Sequence, residues 1–221
     1  MPTPATSLTV TTDVVLFSIH ADRLEVLLVR LPDAAAPAPR WRLPGGAVAA
    51  DEDLEHSALR HLERQTGVRG VYLEQLYTFG CPTRDPRQRS IAVAYYALTP
   101  LATTTLAAVE RDAALAWHPA QALPALWLDH AAIVALACER LRAKLAYSTI
   151  ALQFLPERFT LSALQSVYET ILGEPLDKRN FRKRMLALDC LEDTGAVLRE
   201  GNHRPARLYR ARQPGTVEII K

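Results

Sequence analysis

The amino-acid sequence predicts an α+β protein made of two parts, and three observations lead to this prediction. Aliphatic and β-branched runs separated by polar turns indicate several strands in residues 9–147. Glycine, acidic and basic residues at fixed offsets between Gly46 and Val68 indicate a loop followed by a helix. Residues 148–221 combine short helices, one of them strongly basic, with a hairpin. A chain of 221 residues is long enough for two small buried cores.

The first part, residues 9–147, is predicted to alternate strands with two helices, after a flexible arm of small and polar residues at positions 1–8. The predicted elements are strands at 10–19 and 24–31 joined by a turn at 20–23, a loop at 32–40, a helix capped by Asp53 and ended by Gly67, strands at 71–79 and 91–98 joined by an arginine-rich loop, a short strand near Trp117 and His118, and a helix from Asp129 to about Tyr147.

The segment from Gly46 to Val68, GAVAADEDLEHSALRHLERQTGV, keeps the spacing of a known motif but lacks three of its acids. It resembles the Nudix box, G-x5-E-x7-R-E-U-x-E-E-x-G-U, where U is a bulky aliphatic residue. His61, Arg64 and Gln65 replace three glutamates that share one helix face. Mg²⁺ needs carboxylates there to activate water and to neutralise phosphate charge. We therefore expect no bound metal, no catalytic residues and no cofactor.

Arg64 offers a specific replacement for the missing metal. A guanidinium group binds phosphate through two hydrogen bonds without any metal ion. Arg64 is therefore expected to hold a diphosphate that is not cleaved. The alternative interpretation is that Arg64 and Glu63 simply form a solvated helix face.

The second part, residues 148–221, has the element order of a winged helix-turn-helix domain. A short helix at 148–154 precedes a helix at 161–172 capped by Thr160, a basic helix capped by Asp177, and strands at 191–199 and 206–212. In such domains the second helix of the motif enters the major groove of double-stranded DNA, where basic and amide side chains contact bases and phosphates. The predicted contacts are Lys178, Arg179, Asn180, Arg182 and Lys183 on the helix, and Arg204 and Arg207 on the wing.

The charge distribution agrees with this division of the chain. Residues 1–147 hold 14 basic and 15 acidic side chains, whereas residues 148–221 hold 12 basic and 9 acidic ones. A locally basic surface suits a phosphate backbone. The three widely spaced cysteines predict reduced thiols, and neither a membrane-spanning run nor a signal peptide is evident, so a cytoplasmic location is expected.

The resemblance extends to nearly the whole chain. The run FLPERFTLSALQSVYETILGEPLDKRNFRKRMLALDCLEDTG from Phe154, RPARLYR at 204–210, LYTFG at 76–80 and RDPR at 84–87 resemble the Nudix-related transcriptional regulators of the NrtR type. The resemblance implies a Nudix α/β/α sandwich with a mixed sheet followed by a winged helix-turn-helix. It also implies a homodimeric repressor of NAD metabolism genes, which ADP-ribose releases from its DNA operator.

Two alternatives stay open at this point. Relatives of the same architecture respond to pentoses, so a regulator of sugar catabolism is one alternative. An active ADP-ribose pyrophosphatase is the other, although His61, Arg64 and Gln65 would all need substitutes. In either regulator, the effector must prefer the conformation that binds DNA poorly, and the helix beginning at Asp129 is the expected lever.

An ADP-ribose-like effector requires cationic or amide groups for its phosphates and an aromatic ring for its base. Glycines near the box allow backbone amides to approach a phosphate, and arginines in the box and in the 80–90 loop supply positive charge. The predicted effector-binding residues are Trp41, Gly45, Gly46, Arg60, Arg64, Tyr77, Phe79, Arg84, Arg87 and Arg89.

Overall fold

A computed structural model of the chain describes residues 8–31, 40–100, 114–199 and 205–220. Nearly all of the predicted arm, most of the 32–40 loop and Arg204 at the wing tip lie outside the described residues. The described elements are β1 (Thr9–His20), β2 (Arg23–Arg30), β3 (Trp41–Arg42), β4 (Gly45–Ala47), α1 (Leu54–Thr66), β5 (Tyr72–Phe79), β6 (Ser90–Leu98), β7 (Leu115–Pro119), α2 (His130–Leu145), a 3-10 helix (Ile150–Phe154), β8 (Phe159–Thr160), α3 (Leu161–Leu172), α4 (Lys178–Ala187), β9 (Leu191–Leu198) and β10 (Ala206–Ala211).

The larger sheet has the strand order β3-β2-β1-β6-β5, with β4 paired to β1 and β7 paired to β2. β1 and β6 run parallel and the other pairs run antiparallel. Alternate residues of β1 enter two different cores, since Val14 and Leu16 pack with Leu62 of α1, whereas Val15 and Phe17 pack with α2. The predicted α/β/α sandwich with a mixed sheet is therefore confirmed.

Three of the predicted helix caps are present. The carboxylate of Asp53 accepts a hydrogen bond from His56 N at 2.7 Å, Thr160 caps α3 through Ala163 N at 3.1 Å, and Asp177 caps α4 through Asn180 N at 2.8 Å. Asp129 precedes α2 as predicted, but its side chain makes no capping bond and pairs with Arg84 instead.

The second part contains the expected helix pair and wing, with one strand that the sequence did not indicate. β8 pairs with β10, and β10 pairs with β9, in a three-stranded sheet. The predicted helix at 148–154 is a single 3-10 segment. These elements match a winged helix-turn-helix, so this part of the fold prediction is confirmed.

The two parts share one continuous hydrophobic core. It runs from Phe17 and Tyr96 of the large sheet, along α2, to Leu164 of α3 and Phe181 of α4. Hydrogen bonds reinforce the contact: Arg142 Nε of α2 donates to the carbonyl oxygen of Ile171 at 3.1 Å. The division at residue 147 or 148 stays a prediction, because no gap in packing marks it.

Cys81, Cys138 and Cys190 form no disulfide. No helix in the described ranges combines the length and apolarity needed to cross a membrane.

We predict that Leu141→Ala lowers the stability of both parts in a single transition. Leu141 is fully buried in the shared core, so its truncation should reduce the free energy of unfolding by about 2–5 kcal/mol. Urea unfolding is to be followed by tryptophan fluorescence, since Trp41, Trp117 and Trp127 all precede residue 148, and by far-UV circular dichroism, which reports the helices of both parts.

The matched control is Leu186→Ala, because Leu186 is 55% exposed and its truncation should change stability little. Two well-separated transitions in the wild type, one for each spectroscopic probe, would contradict a shared core.

Candidate functional site

Two of the positions that carry acids in the Nudix motif are occupied by side chains that bind the glycine loop, residues 45–47. Gln65 Nε2 donates to the carbonyl oxygen of Gly45 at 2.8 Å, and Gln65 Oε1 accepts from Gly45 N at 3.2 Å. His61 Nε2 lies 3.0 Å from the carbonyl oxygen of Ala47. The His61 ring also packs against Gly46 so closely that a Cβ added there would come within 2.5 Å of it. His61 and Gln65 therefore tie α1 to the loop.

The third substituted position, Arg64, is exposed on α1 and lies near a second cation, Arg42. Arg42 Nη1 donates to the carbonyl oxygens of Leu43 and Gly45, both at 3.1 Å. Burial lowers the pKa of Arg42 most, Asp13 raises it, and the positive charge of Arg64 lowers it. Arg42 contacts the glycine loop and is repelled by the like charge of Arg64, and a bound anion would relieve this repulsion.

Sequence reasoning missed Arg42. The available signal was its place in the chain, directly before the Leu-Pro-Gly-Gly run.

The remaining acid of the motif, Glu52, is already engaged by protein groups. Arg60 Nε donates to Glu52 Oε2 at 2.8 Å, Arg60 Nη2 also donates to this carboxylate, and Ala49 N donates to Oε1 at 2.8 Å. The hydrogen bond from Arg60 is the main cause that lowers the pKa of Glu52 to about 2. Arg60 thus holds the segment that leads into α1.

The donor groups do not fit the Mg²⁺ cluster that the Nudix fold implies. Glu63 is paired with Arg69, and the motif positions at 61, 64 and 65 present an imidazole, a guanidinium and an amide. Within the described ranges, no group of three or more His, Cys, Asp or Glu side chains is arranged to hold a metal ion.

A cluster of buried charges lies beneath the glycine loop, at the start of α2. Arg84 Nε and Nη2 donate to the two oxygens of Asp129 at 2.9 and 2.7 Å, and Nη1 donates to Ser90 Oγ at 3.2 Å. Asp13 Oδ2 is 3.9 Å from Arg84 Nη2, and Asp13 Oδ1 is 3.8 Å from His130 Nε2. The Arg84 side chain is only 3% exposed, so its guanidinium faces this cluster and not the surface.

The other predicted arginines of the 80–90 loop are differently placed. Arg87 pairs with Asp85 at 2.8 Å, and its guanidinium carbon stands 5.1 Å from the ring centroid of Trp127. Arg89 Nη1 donates to the carbonyl oxygen of Ser90 at 3.0 Å. Trp127, which also lies under Arg40 at 5.9 Å, was not among the predicted residues. Its backbone lies beside β3, since Trp127 N donates to the Trp41 carbonyl oxygen at 2.8 Å.

The predicted aromatic residues do not form one group. Trp41 is half-buried on β3 and packs edge-on against His118, with ring centroids 4.8 Å apart. Tyr77, 58% exposed, packs edge-on against Phe79 on β5. β3 and β5 end the strand path at opposite edges, so Trp41 and Tyr77 are separated by four strand spacings, roughly 19 Å.

The basic helix α4 exposes its predicted DNA-contacting residues. Phe181 and Met185 anchor the helix by their burial. The side chains left exposed are those of Lys178, Arg179, Asn180, Arg182 and Lys183. In the described part of the chain, Arg182 Nη2 donates to Ser162 Oγ at 3.3 Å, while no ion pair engages Lys178, Arg179 or Lys183.

Two further arginines of this part are held by protein groups. On the wing, Arg207 pairs with Asp193 at 2.8 Å. Arg184, which sequence reasoning left out, turns towards α2 and donates from Nη2 to the carbonyl oxygen of Ala146 at 3.1 Å.

Comparisons with known proteins identify both parts. The family model of the NUDIX domain matches residues 9–137, and that of the NrtR DNA-binding winged helix domain matches residues 151–211. The ADPR responsive transcriptional repressor NtrR of Acinetobacter baylyi is 35% identical over 208 residues, which are 90% of this chain and 80% of that protein.

Two solved structures extend the comparison. The structure of Shewanella oneidensis NrtR complexed with a 27mer DNA is 38% identical, with a TM-score of 0.82 over 92% of this chain and 93% of that one. The NUDIX domain of the same protein, complexed with ADP ribose, is 34% identical, with a TM-score of 0.52 over 64% of this chain and 93% of that one.

We predict that His130 makes the stability of the fold depend on pH. Burial, more than any nearby charge, lowers the pKa of His130, although Asp13 raises it. A base with a lower pKa in the folded state gains a proton on unfolding, so its contribution is present above the unfolded pKa of about 6.5 and is lost as the pH falls below it. The melting temperature should therefore fall between about pH 7.5 and about pH 5.5, and fall less in His130→Gln.

Differential scanning fluorimetry across this range measures the effect. His56→Gln removes an exposed histidine and should keep the wild-type slope. Identical slopes for the wild type and His130→Gln would show that His130 makes no such contribution.

Proposed function

Since this chain belongs to the NrtR family of Nudix-related transcriptional repressors, we propose that it binds an operator in double-stranded DNA and that ADP-ribose releases it. The observation that carries the proposal is the pair of cations, Arg42 and Arg64, beside a glycine loop that is tied to α1. This arrangement suits a diphosphate held without a metal ion. The relatives named above, a repressor responsive to ADPR and a protein complexed with DNA and with ADP ribose, support it.

The same geometry argues against hydrolysis. Cleavage of a diphosphate by a Nudix enzyme needs a carboxylate cluster that binds Mg²⁺, and the metal supplies both the activated water and charge neutralisation. His61 and Gln65 are committed to the loop backbone, and Glu52 to Arg60. We therefore propose that the Nudix domain has no enzymatic role.

We propose that the diphosphate lies beside the glycine loop, at the exposed guanidinium group of Arg64 on α1. The proposed phosphate contacts are the guanidinium groups of Arg42, which binds the carbonyl oxygen of Gly45, and of Arg64, while Arg60 acts indirectly by holding Glu52. On the Trp41 side, Arg87 and Trp127 offer a charged and aromatic surface for the rest of the ligand. Arg89, Tyr77 and Phe79 remain predictions.

A diphosphate effector is favoured over a pentose. A neutral sugar would leave the repulsion between Arg42 and Arg64 uncompensated, whereas a diphosphate carries two negative charges to the same place. NAD metabolism genes are the proposed targets, since ADP-ribose is a product of NAD breakdown.

We propose that α4 enters the major groove and that the chain acts as a homodimer on a two-fold operator, in the cytoplasm. The exposed side chains of α4 are the proposed first contacts, namely Lys178, Arg179, Asn180, Arg182 and Lys183, with Arg204 and Arg207 on the wing.

Replacing Arg64 tests the effector site. We predict that Arg64→Ala weakens ADP-ribose binding by at least about tenfold, because it removes a charge-assisted hydrogen bond worth roughly 1.5–3 kcal/mol. Isothermal titration calorimetry in the presence of EDTA should give the same wild-type Kd as in its absence. Operator affinity without ADP-ribose should not change in the variant.

The control is Arg69→Ala, which removes an exposed arginine that follows the end of α1 and should bind ADP-ribose as the wild type does. An unchanged Kd in Arg64→Ala, or loss of wild-type binding on adding EDTA, would overturn the metal-free site.

Replacing α4 cations tests the DNA surface. We predict that Arg179→Ala and Lys183→Ala, which alter one helix face, each weaken operator binding. If the lost contact is to a phosphate, the slope of log K against log salt should also decrease in magnitude by about one. Fluorescence anisotropy over a salt series measures both quantities. Arg158→Ala replaces an exposed arginine outside α4 and should keep the wild-type affinity and slope. If all three variants have the same operator affinity and salt slope, α4 does not form the DNA contact.

A further inference from the structure

The charge cluster formed by Asp13, Arg84, Asp129 and His130 has no part in the proposed contacts with effector or DNA. Asp13 lies on β1, Arg84 lies in the loop before β6, and Asp129 and His130 lie at the start of α2. Asp13, Arg84 and His130 are at most 8% exposed. Burying charges is costly unless they are closely paired, so a buried cluster of this kind calls for an explanation beyond packing.

The cluster touches the glycine loop directly. Leu43 N, two residues before Gly45, donates to His130 Nδ1 at 2.9 Å. Asp13 Oδ1 lies so close to Gly45 that a Cβ on this glycine would stand 2.6 Å from it. A displacement of the loop is therefore transmitted to Asp13 and to the first residue of α2, because no space separates them.

The far end of α2 is bound to both helices of the DNA-binding part. Arg142 of α2 donates to the carbonyl oxygen of Ile171 at the end of α3, and Arg184 of α4 donates to the carbonyl oxygen of Ala146 that follows α2. A helix of 16 residues spans about 24 Å. α2 therefore connects the proposed effector site to the DNA-binding helices through one continuous helix.

We infer that the cluster couples effector binding to DNA release, an inference that rests on the function proposed above. In the free protein, Arg42 donates to the carbonyl oxygen of Gly45, and the carboxylate of Asp13 packs against the same glycine. A diphosphate bound between the two arginines draws Arg42 towards the ligand and weakens its attraction to Asp13. Asp13 and Asp129 then compete for Arg84, which shifts the start of α2.

Arg84 and Asp129 are therefore positioning residues, which act on DNA affinity through α2. The quantity that reports this role is the coupling factor, the operator Kd with saturating ADP-ribose divided by the operator Kd without it. A residue that only stabilises the fold would change the melting temperature and leave this ratio unaltered.

The experiment measures the coupling factor by fluorescence anisotropy in the full-length wild type, Asp129→Asn and His130→Phe. Asp129→Asn neutralises the partner of Arg84 with little change in size, and His130→Phe keeps a ring of similar volume but removes the acceptor for Leu43 N. Calorimetry gives the ADP-ribose Kd of each variant, and a thermal melt establishes that it is folded. Arg69→Gln, which breaks an exposed ion pair, is the control.

We expect each variant to bind ADP-ribose and free operator within about threefold of the wild type, while its coupling factor falls at least fivefold towards one. The control should keep the wild-type factor. If a folded variant binds ADP-ribose and keeps the coupling factor of the wild type, the coupling role alone is overturned. If Asp129→Asn does not fold, the coupling factor of His130→Phe provides the test. A factor of one in the wild type overturns the proposed function, and the inference with it.

Discussion

The packing of α2 between the large sheet and the DNA-binding helices is the constraint on which the rest of the structure depends. Ile133, Ala137, Leu141 and Leu145 recur every four residues, all are buried, and all belong to the core that continues into α3 and α4. Because one apolar row serves both parts, the DNA-binding helices do not swing freely on a linker. The winged helix is held in place by the Nudix domain, so a change at the start of α2 reaches α3 and α4 through packed side chains.

Near the start of α2, the Nudix motif keeps its loop and helix but lacks the acids that would bind a metal ion. In a hydrolase, acids at positions 61, 64 and 65 would face a metal ion. Here Gln65 and His61 close the loop onto α1 through backbone hydrogen bonds, and Arg64 adds a positive charge where a cation would otherwise be held. The carboxylate of Glu52 accepts hydrogen bonds from Arg60 and from the backbone amide of Ala49. The loop is therefore held to α1 without a metal, and the arginines near it supply no activated water.

Local patterns in the sequence predicted much of the fold, because caps and strand runs depend on near neighbours. Asp53, Thr160 and Asp177 cap helices as their spacing indicated. Features set by distant partners could not be predicted in this way. β8 is two residues long and forms only by pairing with β10. The side chain of Asp129 does not cap α2, because it pairs with Arg84, which lies 45 residues away in the sequence. Arg42 and Trp127 belong to the candidate site for the same reason, as strand pairing and a loop contact bring them there.

We propose that this Nudix fold holds a diphosphate with guanidinium groups in place of a metal. A crystal structure of the full chain with ADP-ribose, grown in the presence of EDTA, tests this most directly. We expect the diphosphate beside Gly45 and Gly46, with nitrogen atoms of Arg42 and Arg64 within hydrogen-bonding distance, about 2.7–3.2 Å, of its oxygens. A ligand bound elsewhere in the fold, or a diphosphate there with Arg64 turned to solvent, would contradict the claim.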